Sequence, residues 1–137
     1  VAGEPGTPDD LDLPPRAALT EAQRLIDTAR PFHAHEVLEA SWKAAPQAER
    51  GLWQGLAQIA VGLTHAQRGN AKGAVALLRR GADRIRPYGA AAASPVRSPH
   101  GLDVGRAAME AEGLAERIER SGLAGLPPSD LRPRLLG

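Results

Sequence analysis

The chain contains no cysteine. That absence excludes disulfides, thiol catalysis, thiolate zinc fingers and iron–sulfur clusters. Aromatic residues make up only 3% of the chain, with two Trp, one Tyr and one Phe. A core must therefore be assembled from Leu, Ile, Val and Ala around the two indoles. No apolar run reaches the 18 residues that a membrane-spanning helix needs. Neither sign of charge dominates: 17 Lys and Arg stand against 16 Asp and Glu, a net charge of +1. No global field pulls the chain toward nucleic acid or a membrane surface. No alternating run of β-branched residues exists, so no strand is expected.

What is present reads as helix. Residues 1–15 are acidic and proline-rich and read as a flexible arm. They lack the basic start and apolar run of a signal peptide, so the cytoplasm is the expected address. Residues 16–122 read as the helical domain, and residues 123–137 as a Pro-interrupted tail that packs through Leu123 and Leu126. Leu19, Ala22, Ile26 and Ala29 recur at helical spacing in a first helix over 16–29. Pro31 interrupts it and opens a second helix that runs to Ala44. Pro46 opens a third over 47–68, with Gly69 as its left-handed stop. Asn70 caps a fourth over 71–86, which Pro87 ends. A mobile loop is expected over 88–101, then a fifth helix over 104–120 capped by Asp103 and stopped by Gly122. The fold class is all-α: a single compact, irregular bundle of four to five helices, with no internal repeat.

The third helix is the informative one. Between Arg50 and Arg68 it carries no Asp, Glu, Lys or Arg. A surface helix normally carries charge on one face, so this one is expected to be surrounded by others. Leu52, Leu56, Ile59 and Leu63 form one stripe. Gln54, Gln58 and His65 fall within about 40° of one another on the opposite side. Gly51, Gly55 and Gly62 flank them, which suggests close approach of another backbone or a ligand. Buried amides need partners, since each unpaired polar group costs about 1–3 kcal/mol.

The second helix is the natural source of those partners. His35, Glu39 and Trp42 share a face at spacings of four and three, with Glu36 about 100° round and His33 pointing away. An antiparallel hairpin through Ala45–Pro46 sets His35 near Gln58 and Glu39 near Gln54. His65 lies about 10 Å farther along.

Three readings of this buried cluster stay open. His35 and Glu39 could hold a divalent metal, with Glu36 or His65 as the acid/base group in a metal-assisted hydrolysis. The cluster could instead be a satisfied polar core that only fixes helix register, leaving a structural or protein-interaction domain. It could also be a small-ligand pocket lined by Gln54, Gln58 and Trp42. Trp42 and Trp53 flank the hairpin turn as core plugs or as one wall of a pocket there.

Outside the cluster, Lys72, Arg79, Arg80, Arg84, Arg86 and Arg97 face only one acid, Asp83, within residues 70–100. Weak nucleic-acid binding through the basic helix 72–86 is thus an alternative. The lack of stacking aromatics disfavours it, and α-helical acids at Glu110, Glu112, Glu116 and Glu119 could balance the charge. His100, beside Pro99, reads as solvated. A homo-oligomer stays open, and no substrate can be read.

The run from Phe32 through His35, Glu36 and Glu39 to Trp42 resembles a family signature, an aromatic followed by His-Glu-x-x-Glu and Trp. It continues with Gln54-Gly55, His65, the Gly69-Asn70 corner and Gly73-Ala74. The family is the three-hundred-and-ninth of the series of domains of unknown function, in bacteria, archaea and plastids. The likeness covers about residues 17–120, most firmly 32–86. It implies an irregular helical bundle and no established activity.

Overall fold

The computed structural model describes residues 13–91 and 99–135, apart from the side chains of residues 90, 91 and 99. Five helices follow one another: α1 (Pro15–Asp27), α2 (Pro31–Ala44), α3 (Gln47–Gln67), α4 (Ala71–Ala91) and α5 (Val104–Ser121). Short 3₁₀ turns occupy Pro99–Gly101 and Pro128–Leu131. Among the described residues there is no strand, and the all-α bundle expected from the sequence is the architecture found. Neighbouring helices pack in chain order, α1 on α2, α2 on α3, α3 on α4 and α4 on α5.

Prolines start the helices and glycines stop them. Pro15 and Pro31 sit in the first turns of α1 and α2, where the missing N–H has no intrahelical partner to lose. The end of α3 closes in a Schellman motif. Gly69 is left-handed (φ 82°) and donates its N–H to Ala66 O, while the Asn70 N–H reaches His65 O at 2.8 Å. Asn70 then caps α4, accepting the Gly73 N–H on Oδ1 at 3.0 Å. Asp103 caps α5 through the Arg106 N–H at 3.1 Å, and Gly122 (φ 76°) follows its end.

The same motif ends α1, but with Ala29 in the left-handed position (φ 62°): the Ala29 N–H bonds Ile26 O and the Arg30 N–H bonds Leu25 O. Ala29 is therefore an exposed turn residue, not the last member of an apolar stripe. An L-alanine there costs about 1–2 kcal/mol of steric strain.

Leu19, Ile26, Leu38, Leu52, Leu56, Ile59, Leu63, Leu78, Ile85 and Leu114 are fully buried around Trp53. The tail joins this core. Leu135 is buried, and Gln23, itself only 4% exposed, accepts the Leu135 N–H at 2.6 Å and donates to Pro133 O at 3.0 Å.

α4 departs from the expected length. It continues through Pro87 to Ala91 instead of ending at Pro87. Proline removes one backbone bond and crowds the preceding turn. Packing on both sides compensates. Tyr88 covers Gly51 so closely that a Cβ there would meet the phenol oxygen at 2.6 Å, and Gly89 abuts Val104. The expected loop over 88–101 is thus helix at its start and a 3₁₀ turn at its end. Its middle, residues 92–98, and the expected arm up to residue 12 lie outside the described residues.

α3 and α4 approach each other closely at two glycines. A Cβ on Gly81 would stand 2.6 Å from Gly55 O and 2.7 Å from Ile59 Cγ1. A Cβ on Gly55 would meet Ile85 Cγ2 at 2.6 Å. Gly81→Ala is expected to lower stability by about 1–3 kcal/mol, because rigid backbone must move. Ala29→Gly is expected to raise it by about 1 kcal/mol by relieving the left-handed strain. Urea unfolding of the two variants checks both signs.

Candidate functional site

α3 is charge-free from Gly51 to Gln67, yet it is not enclosed on all sides. Its glycine flank lies on α4: Gly51 under Tyr88, Gly55 against Gly81 and Ile85, Gly62 against Leu78. Its leucine stripe lies in the core. The remaining face carries Gln54, Gln58 and His65, and each is half-buried. An uncharged helix face was expected to mean full burial. Here it means a polar strip, neither solvated like a charged face nor sealed like a core.

α2 packs on α3. Gln67 Nε2 donates to Ala29 O at 2.8 Å, and the Arg68 guanidinium lies 5.7 Å from the Phe32 ring centre. The start of α2 therefore stands beside the end of α3, as an antiparallel pair requires. Ser41 and Ala44 border a cavity with Leu13–Pro15 at the start of α1 and with Glu49 and Trp53 of α3. At 100° per residue, His35, Glu39 and Trp42 share one edge of α2, round the helix from Ser41. His35, Glu36, Glu39 and Trp42 are all half-buried. The expectation of a buried cluster is corrected: all seven candidate residues keep part of their surface in solvent.

The hydrogen bonds run differently from those expected. Gln58 Oε1 accepts from Arg84 Nε at 3.1 Å, across to α4 rather than to α2. His65 Nδ1 lies 3.1 Å from Asn70 Nδ2. An amide NH₂ can only donate, so Nδ1 accepts and the imidazole proton sits on Nε2. His35 packs against Phe32, ring centres 5.7 Å apart, and its shielded Nδ1 finds no partner. Among the described residues, none of Glu36, Glu39 and Gln54 makes a hydrogen bond or ion pair. A His–Glu–Gln lock between α2 and α3 lacks the bonds that would make it one.

A metal asks for more than these side chains supply. Among the described residues, no three His, Asp or Glu side chains converge where an ion could be held. A ligating imidazole also normally donates its second N–H to a carboxylate or carbonyl. The shielded Nδ1 of His35 has no such acceptor.

Two of the five basic residues of helix 72–86, Arg79 and Arg86, are ion-paired with acids of the chain. Arg79 meets Glu119 through both terminal nitrogens, at 2.9 and 3.0 Å, and Glu112 at 3.2 Å. Arg86 meets Glu112 at 3.1 Å and also Asp83. These half-exposed pairs balance α4 against α5, each contributing little to stability.

One polar group was not legible in advance. His100 is not solvated: its Nε2 donates to Glu49 Oε1 at 2.9 Å, and its ring lies 5.9 Å from that of Trp53. Trp53 Nε1 donates to the same oxygen at 3.2 Å. His100 holds a positive φ of 56° to reach this position. The Glu49–Trp53 bond at helical spacing was the one available signal; the 51-residue separation of Glu49 from His100 left none.

These features define a small helical domain with a half-buried polar strip on α3, reached by Arg84 from α4. The family model described as "Domain of unknown function (DUF309)" matches residues 19–77, the segment from α1 into α4, which is similar to that family. The match spans every candidate residue named above. No curated protein and no solved structure matches the chain.

Burial by itself would raise the Glu49 carboxyl. The hydrogen bonds from His100 and Trp53, with the charge of the imidazole, outweigh it and hold the group below the ordinary value of 4.5. A depressed folded value means the stability Glu49 contributes is present above the unfolded value. It is lost as pH falls through the folded one. Glu49→Gln is therefore expected to narrow its stability deficit relative to the natural chain as pH drops from about 6 to about 3. Thermal melts across that range read the effect.

Proposed function

We propose that the protein is a binding domain and that its partner docks on the half-buried polar side chains of α2 and α3. One observation carries this reading. Glu36, Glu39 and Gln54 are partly desolvated, stand on regular helices and engage no other group of the described chain. Helices fix such groups better than loops do, and a partner can use their unspent hydrogen-bonding capacity without breaking any internal bond. Phe32, 44% exposed, and the half-buried Trp42 border the acids and supply apolar anchors. Two carboxylates without a counter-charge favour a partner that brings N–H donors or positive charge.

Metal-assisted hydrolysis is the second reading, and the lack of three converging His, Asp or Glu side chains among the described residues weighs against it. It would place His35 and Glu39 on a divalent ion, with Glu36 or His65 as the acid/base group and further donors from outside this set. Metal analysis of the purified protein separates the two readings.

The docking reading has a direct test. Glu36→Lys with Glu39→Lys is expected to change stability by no more than about 0.5 kcal/mol per site, since no intramolecular bond is lost. An NMR titration of the natural chain with an amphipathic lysine-rich peptide should shift α2 and α3 amides in a saturable way. The double variant should abolish those shifts. Shifts that survive in the double variant, or that centre on α5, would contradict the reading.

A further inference from the structure

A cavity of about 370 Å³ lies where the start of α1, the end of α2 and the start of α3 meet. Its walls are apolar: Leu13 and Pro14 from the lead into α1, Ala45 from the α2–α3 turn, and the Trp53 indole. Two polar residues line it, Ser41 and Glu49. Ser41 Oγ is shielded and has no hydrogen-bond partner. Glu49 has a carboxylate whose two oxygens are used unequally. Oε1 takes both internal donors, Trp53 Nε1 and His100 Nε2. Oε2 accepts from no described residue.

An apolar hollow of a few hundred Å³ with a few convergent polar groups is the usual form of a small-molecule site. Glu49 is the one charged residue that lines it, and it is anionic. Its donors fix the carboxylate in place without consuming its second oxygen. An anion is disfavoured by that charge, and a metal ion would find a single carboxylate. An ammonium group finds in Glu49 a lining carboxylate whose Oε2 accepts from no described residue. The apolar walls then cover a compact hydrocarbon or ring.

We propose that the cavity between Trp53, Glu49 and Ser41 binds a small organic cation, an ammonium group carried on a compact apolar or aromatic body. Glu49 Oε2 receives the ammonium protons. The site is independent of the docking strip, and neither depends on the other.

Phenethylammonium is the probe, and phenylpropionate, of similar shape and opposite charge, is its control. The readout is the Trp53 indole N–H resonance, distinguished from that of Trp42 by a Trp42→Phe variant. Phenethylammonium should shift it in a saturable way at millimolar concentration, phenylpropionate should not, and Glu49→Gln should weaken binding at least about tenfold. The amide of that variant retains an acceptor oxygen for Trp53 and His100, and circular dichroism verifies the variant's helical content. The comparison of the two probes on the natural chain needs no variant. No saturable shift up to about 10 mM, equal response to both probes, or unchanged affinity in Glu49→Gln would each overturn the proposal.

Discussion

The contact on which the arrangement turns is the backbone approach of α3 and α4 at Gly55 and Gly81. No side chain separates the two helices there, and an added methyl group would collide with a carbonyl oxygen. Gly51 and Gly62 extend the same seam by admitting Tyr88 and Leu78. With α4 drawn onto the glycine flank and the leucine stripe committed to the core, one face of α3 is left over. It carries the two glutamines and His65. The polar strip is the geometric remainder of close packing elsewhere on the helix.

That remainder is held firmly at both ends. The Schellman turn at Gly69 and the Asn70 cap fix the α3–α4 corner, and Asn70 also engages His65. At the other end, Glu49 ties the first turn of α3 to Trp53 and, across 51 residues, to His100. Between these anchors the helix presents its uncharged face with little freedom to rotate. Rigidity of this kind lowers the entropic cost of binding, because the groups a partner would meet are already ordered.

Local chemistry made most of the fold legible from the residues. Pro31, Pro46, Gly69, Asn70, Asp103 and Gly122 act within one turn of themselves, and helix limits near them follow the expected places. Pro87 did not end α4, because Tyr88 and Gly89 find tertiary contacts that no local rule contains. The site was legible as a set of residues but not as a set of contacts. Absence of charge on α3 was read as burial, whereas amides and an imidazole also suit a half-covered face. Gln58 and His65 turned to partners near or on α4, at Arg84 and Asn70, instead of to α2. The Glu49–His100 pair joins segments whose meeting depends on the whole bundle.

The chain's lack of cysteine makes the central claim directly measurable. Single cysteines placed by Gln54→Cys, Leu63→Cys and Met109→Cys report the half-covered strip, the core and an exposed position in turn. The account expects Gln54→Cys to react with a maleimide on the folded protein within about tenfold of Met109→Cys, and Leu63→Cys to react only on global unfolding. Protection of Gln54→Cys equal to that of Leu63→Cys would contradict it, since α3 would then be enclosed and no face would remain for a partner.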